Sequence, residues 1–161
     1  MSIEIHNIPP LYDKNSKILI LGSFPSVKSR EAEFFYGHPQ NRFWKVVSAI
    51  LRCECPVTVE EKRKMLLSHH IAVWDVIKSC EITGSSDSSI KNVVPNDLSE
   101  IFKTADIKAV FTNGTASYNM YNKYIKSPEA IKLPSTSPAN AAYSLERLIG
   151  EWSKIISLGE L

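Results

Sequence analysis

Short apolar runs alternate along this chain with stretches in which apolar residues return every three or four positions. The run Ile18-Leu19-Ile20-Leu21 is continuous, as expected for a strand buried on both faces of a parallel sheet. Runs of this kind predict strands over residues 17–21, 71–76, 108–112 and 130–133, and helical periodicity predicts helices over 42–51, 59–68, 97–104, 115–125 and 144–156. Thr58 with Glu61 three positions on reads as a capping box, and Asn96 reads as the N-cap of the third helix. In the last helix Leu145, Leu148, Ile149, Trp152, Ile155 and Ile156 share a face that packs on the sheet. Strands that alternate with helices make the expected fold class α/β: a three-layer αβα sandwich around a central, mainly parallel four-stranded sheet. No repeat, low-complexity tail or linker interrupts it. The Gly84-Ser85-Ser86-Asp87-Ser88-Ser89 stretch reads as a loop, so residues 1–161 form a single predicted domain.

Composition narrows the class only a little. A chain of 161 residues with 43% hydrophobic content builds one ordinary core, and a net charge of +2 neither announces nor excludes a nucleic-acid partner. Three cysteines, Cys53, Cys55 and Cys80, are an odd number without the spacing of a disulfide framework, which fits a reduced, cytoplasmic setting. The first seven residues lack an apolar segment, and no window approaches the roughly 18 apolar residues of a membrane span. Cys53-x-Cys55 with His69 and His70 departs from structural-zinc spacing, so no metal site is expected.

The candidate chemistry lies where strands end. After the first strand come Gly22-Ser23-Phe24-Pro25-Ser26 and then Tyr36-Gly37-His38-Pro39-Gln40-Asn41-Arg42-Phe43-Trp44. Near the C-terminus a second polar loop runs Leu133-Pro134-Ser135-Thr136-Ser137-Pro138-Ala139-Asn140-Ala141. Open α/β folds keep their sites at this edge of the sheet, so the two loops are expected to face each other across one crevice. Gly22 and Pro25 form either a plain turn or a path that aims the amides near Phe24 into the crevice. Tyr36 and Phe24 either stack on a flat ligand, worth roughly 1 to 3 kcal/mol per base, or close the core. Asn41 is either an N-cap or, through its amide oxygen, the holder of a water molecule. The Asn113-Gly114-Thr115 corner is a helix start whose free amides suit an anion. The hydroxyls of Ser135, Thr136 and Ser137, shaped by Pro138, suit a phosphate or are a polar loop without further duty.

Together these segments resemble the uracil-DNA glycosylase superfamily. His38-Pro39-Gln40-Asn41-Arg42-Phe43-Trp44-Lys45-Val46 is similar to the H-P-x-N-R-F-W-K-V stretch of the mismatch-specific uracil and thymine glycosylases. Gly22 to Ser26, Trp74-Asp75-Val76, Gly84 to Asp87 and Leu133 to Ala141 complete a combination most like the hypoxanthine-DNA, or deoxyinosine, branch. The resemblance implies a monofunctional glycosylase that hydrolyses the N-glycosidic bond of a deaminated base, hypoxanthine first, in DNA. It further implies base excision repair and a monomer. Phe24 stands where other branches carry an Asn or Asp that positions water, and the resemblance passes that task to Asn41. It places the base against Ser23, Phe24, Tyr36 and Asn113, and the DNA backbone against Ser26, Arg42, Ser135, Thr136, Ser137, Pro138 and Asn140. Three cysteines are fewer than the four that hold an iron-sulfur cluster in some branches, so neither that cluster nor another cofactor is expected. Small Ala139 and polar Asn140 stand where relatives place a bulkier wedge. The alternatives are a mismatch-specific uracil glycosylase and a catalytically silent nucleic-acid-binding relative.

Overall fold

A computed structural model describes residues 2–161. In chain order the elements are β1 (Ser2–Ile5), β2 (Ile18–Gly22), α1 (Val27–Ala32), α2 (Phe43–Leu51), α3 (Val59–Ser68), β3 (Ile71–Asp75), β4 (Ile77–Ile82), β5 (Lys91–Pro95), α4 (Ser99–Thr104), β6 (Ala109–Asn113), α5 (Thr115–Tyr124), β7 (Ala130–Leu133), α6 (Leu145–Trp152) and α7 (Lys154–Leu158). The expected four strands form one all-parallel sheet in the order β3-β2-β6-β7. The chain leaves β2 in one direction to β3 and later returns to its other side as β6, so the order reverses between β2 and β6. Ligand crevices open at that point, beyond the carboxyl ends of the strands.

Every residue of β2 is buried, and its side chains divide between two cores. Ile18 and Ile20 join Phe43, Val46 and Val47 of α2, Met65 and Leu66 of α3, and Leu148, Trp152 and Ile155 of the C-terminal helices. Leu19 and Leu21 point the other way, toward Ile101 of α4, Tyr121 of α5, and Ile77, Cys80 and Ile82 of β4. Burying apolar surface at roughly 25 cal/mol per Å² on both faces is what fixes the register of this central strand.

Four details depart from the sequence-based expectations. A second, antiparallel sheet of order β1-β4-β5 lies beside the helices on one face, a layer the apolar runs did not announce. The first loop contains the six-residue helix α1, capped by Ser26 Oγ, which accepts from Ser29 N–H. The C-terminal helix is interrupted at Ser153, although Leu148, Trp152 and Ile155 are fully buried on its expected face. Asn96 does not cap α4. Its Nδ2 donates to the carbonyls of Asp75 and Ile77 at 2.9 and 3.1 Å, so it clamps the corner between β3 and β4, and the adjacent Asp97 accepts from Ser99 N–H instead. The Thr58–Glu61 capping box is present in full. Among the described residues no helix is long and apolar enough to cross a membrane.

Candidate functional site

The carboxyl ends of all four parallel strands open into one cavity of about 340 Å³, within the roughly 300–1,000 Å³ common for small-ligand sites. Its walls are the Gly22–Ser26 turn after β2, Asp75 at the end of β3, Asn113 at the end of β6, the 135–139 loop after β7, and Tyr36, His38 and Asn41 from the loop before α2. The two polar loops therefore do face each other.

Two tryptophans fix the backbone of this rim, and a third holds the segment that follows β1. Trp44 Nε1 donates to the Tyr36 carbonyl, Trp152 Nε1 to the Pro134 carbonyl and Trp74 Nε1 to the Ile8 carbonyl, at 3.1, 2.8 and 2.9 Å. Tyr36 sits in the left-handed region, with φ 50°, which is costly for a residue with a side chain and persists only where its surroundings hold it. Trp44 holds the carbonyl of that residue, and Phe43 stacks on its ring at 4.0 Å between centroids.

Thr136 is the hub between the loops. It is fully buried, its N–H donates to Asn113 Oδ1, its hydroxyl accepts from Asn113 Nδ2 at 2.9 Å and donates to Asn41 Oδ1 at 2.8 Å, and its carbonyl accepts from Arg42 N–H. Asn41 Oδ1 accepts a second bond from Phe43 N–H at 2.9 Å. A backbone amide only donates, so the oxygen is fixed on that side, and both its lone-pair sites are occupied. The expected role of that oxygen in holding water is thereby corrected: it caps α2 and braces Thr136, while the two Nδ2 hydrogens, on a side chain that lines the cavity, have no acceptor among the described residues.

Other expected contacts are corrected in the same way. The Arg42 guanidinium donates to the carbonyls of Tyr143 and Asn140, so it braces the 135–143 loop instead of standing free for a phosphate. Thr136 has no exposed surface with which to touch DNA. Asn140 turns its Nδ2 back onto the Ser135 carbonyl, and Ser26 is occupied as the cap of α1. The Phe24 ring is buried in the core, edge-on to His6, while its backbone N–H finds no acceptor among the described residues. Ser135 Oγ accepts from Ser137 N–H and Ser137 Oγ from Ala139 N–H, which leaves each hydroxyl its own proton to donate outward; Pro138 and Ala139 form the exposed tip.

Three functional groups escaped the sequence reading. Asp75 is buried at the end of β3, and its Oδ2 lies 2.7 Å from His6 Nε2. His6 Nδ1 accepts from Ile8 N–H, so the ring proton is on Nε2 and is given to Asp75. Asp75 Oδ1 lies too close to the point where a Cβ on Gly22 would be for both to fit, so a side chain at position 22 would push the carboxylate aside although the φ there is ordinary. Asp87, from the loop read as a plain connection, accepts from Ser23 Oγ at 2.8 Å. That loop is docked on the first one by Ser85 Oγ, which accepts from Val27 N–H, and by the Gly84 carbonyl, which accepts from Arg30. Partial desolvation where the carboxyl group packs against the first loop raises the pKa of Asp87 even though the residue keeps much exposed surface, the Ser23 hydroxyl opposes the shift, and the charge of Asp75 adds to it. Burial likewise drives the Tyr36 phenol far above its ordinary range, with Asp75 adding and the neighbouring Asn113 side chain opposing, so Tyr36 stays a donor, and its buried hydroxyl makes no hydrogen bond of good geometry among the described residues. The signal for Asp75 was its position as the polar residue that ends a parallel strand, as Asn113 does.

Comparison with known proteins places this geometry. The profile of the Uracil DNA glycosylase superfamily matches residues 9–154. A hypoxanthine DNA glycosylase of Methanosarcina acetivorans is 34% identical over 151 residues, 91% of this chain and 94% of that protein. One of Methanosarcina barkeri is 34% identical over 111 residues, 68% of this chain and 70% of that one. The solution NMR structure of a candidate uracil DNA glycosylase from M. acetivorans superimposes with a TM-score of 0.83 at 31% identity, covering 99% of this chain and 100% of that one.

Proposed function

This chain belongs to the uracil DNA glycosylase superfamily and is a DNA glycosylase, and on that premise we propose that it releases hypoxanthine from DNA by hydrolysing the N-glycosidic bond. The relatives named hypoxanthine DNA glycosylase support this choice of base. The observation that carries the reading is Asn41, held by Thr136 and Phe43 N–H so that its Nδ2 donors are left over on the wall of the cavity.

A base must leave the duplex stack to enter such a cavity, at a cost of a few kcal/mol that is lowest for mispaired or damaged bases. Once inside, a water accepting a hydrogen bond from Asn41 Nδ2 keeps a second lone pair for C1′ of the sugar. The C1′–N bond breaks with its electron pair going to the base, water oxygen bonds to C1′ and keeps one hydrogen as the new hydroxyl, and the one proton that water sheds ends on the departing base. The Phe24 N–H, without an acceptor among the described residues, suits a developing negative charge on the base. An amide is not a base of useful strength, so the acceleration comes from positioning and charge stabilisation. Ser135 and Ser137 direct their hydroxyl protons, and the Pro138-Ala139 tip its surface, toward the DNA backbone.

The test is a panel of duplex oligonucleotides carrying hypoxanthine, uracil, xanthine or thymine opposite each normal base, with alkali cleavage to reveal abasic sites. Hypoxanthine duplexes are expected to be cleaved fastest, and Asn41→Ala to lose at least 100-fold in single-turnover rate with its fold intact. Fastest release of uracil would reassign the base. Binding to damaged duplex without any abasic product would make the chain a silent binder.

A further inference from the structure

Deaminated bases differ from their parents along one edge. Hypoxanthine and uracil carry a ring N–H beside a carbonyl, whereas adenine and cytosine carry a bare ring nitrogen beside an amino group. A fixed acceptor facing that ring nitrogen bonds the first pair and repels the second.

Most polar groups in the cavity already carry a bond within the chain. Asn113 Oδ1 takes the Thr136 amide and its Nδ2 serves Thr136 Oγ1, each with one site left, Asn41 Oδ1 is doubly occupied, and Ser23 is bonded to Asp87 Oδ1. Of the two carboxyl groups with an open oxygen, Asp87 is exposed and Asp75 is buried. Its Oδ2 is held by His6, whose tautomer is set by Ile8 N–H and whose ring is walled by Phe24 and Trp74, each edge-on at 6.0 Å. Its Oδ1 has no donor among the described residues, borders the cavity, and lies beside the buried Tyr36 hydroxyl, which is 3.4 Å from the point where a Gly22 Cβ would be. A buried carboxylate with one oxygen locked and the other open is an acceptor held in one orientation.

We propose that Asp75 Oδ1 accepts the ring N–H of the extruded base and is the residue through which this site prefers lactam bases to their amino parents, with His6 as its positioning residue. The assignment rests on the glycosylase reading above and names the chemical edge that reading selects. It also gives Gly22 a purpose, since any side chain there would displace the acceptor.

The experiment compares wild type and Asp75→Asn in single-turnover release from duplexes carrying hypoxanthine, 1-deazahypoxanthine, in which the N1–H becomes C–H, or adenine. Each rate is divided by the non-enzymatic hydrolysis rate of the same nucleoside, which removes differences in leaving-group ability. Wild type is expected to lose about 10- to 100-fold on the 1-deaza base, the worth of a charge-assisted hydrogen bond. Asp75→Asn keeps an acceptor for His6 but turns an N–H toward the cavity. It should lose a similar factor on hypoxanthine, show no further loss on the 1-deaza base, and narrow the hypoxanthine-to-adenine ratio. Affinity for a duplex with an abasic-site analogue should stay within about twofold, which separates base reading from a general loss of structure. Equal corrected rates of wild type on hypoxanthine and its 1-deaza analogue overturn the assignment of Asp75, whether or not the variant folds. Absence of release from every deaminated duplex overturns the glycosylase reading instead.

Discussion

Replacing Thr136 by Val isolates what the buried hub contributes. The two side chains are nearly the same size, so the change removes one hydroxyl from a site with no exposed surface. Asn113 Nδ2 loses its acceptor, an unmet buried donor costing about 1–3 kcal/mol, and Asn41 Oδ1 loses one of two donors, a net hydrogen bond of about 1 kcal/mol. The sum is about 2–4 kcal/mol, and at roughly 2–4 °C per kcal/mol for a chain of this size the melting temperature should fall by roughly 4–16 °C. Asn41 is also released to turn about its own side-chain bonds, so the single-turnover rate on a hypoxanthine duplex should drop by about 100-fold while affinity for the duplex changes little. Differential scanning fluorimetry and gel-based cleavage measure both. Thr136→Ser keeps the hydroxyl and should recover most of the rate even though it forfeits a buried methyl. Full turnover by the Val variant, or equal loss in Val and Ser, would refute the claim that the hydroxyl orients Asn41.

Two further outcomes follow from the carboxylates. Gly22→Ala places a methyl on Asp75 Oδ1, so it should cost about 1–3 kcal/mol of stability and at least 10-fold in hypoxanthine release, while Gly150→Ala, at a glycine with open space around it, leaves release unchanged. Asp87 binds its proton more tightly in the folded state, so its contribution to stability is present below the unfolded carboxylate range, at about 3.9, and is lost as pH rises through the folded value. Asp87→Asn, which keeps an acceptor for Ser23, should therefore raise the melting temperature at pH 7 by more than at pH 3; a gain that grows toward acid would contradict the assigned cause.

The central sheet was legible because parallel strands buried on both faces must be continuously apolar, as Ile18 to Leu21 are. The second sheet was not. In β1, Ile3 and Ile5 face solvent, and β5 runs from the exposed Lys91, so neither presents an apolar run long enough to read as a strand. The candidate site divides along a similar line. Residues clustered in sequence, such as His38 to Asn41 and Ser135 to Ala139, were readable as loops that face a crevice. Which atoms of those loops are free was not readable, because that depends on pairings such as Thr136 with Asn41 and Arg42 with Tyr143, 95 and 101 positions apart. His6 and Asp75, 69 positions apart, meet only after β1 has paired with β4.

β1 has a single neighbour, β4, and so forms the border of its sheet. Border strands detach at lower free energy than interior ones. His6 follows β1 directly and is anchored by its N–H to the Lys78 carbonyl. Peeling of residues 2–5 therefore unlatches the imidazole while the parallel sheet stays whole. On warming, enzymatic inactivation should run ahead of global melting, so that turnover serves as a thermometer for one short strand.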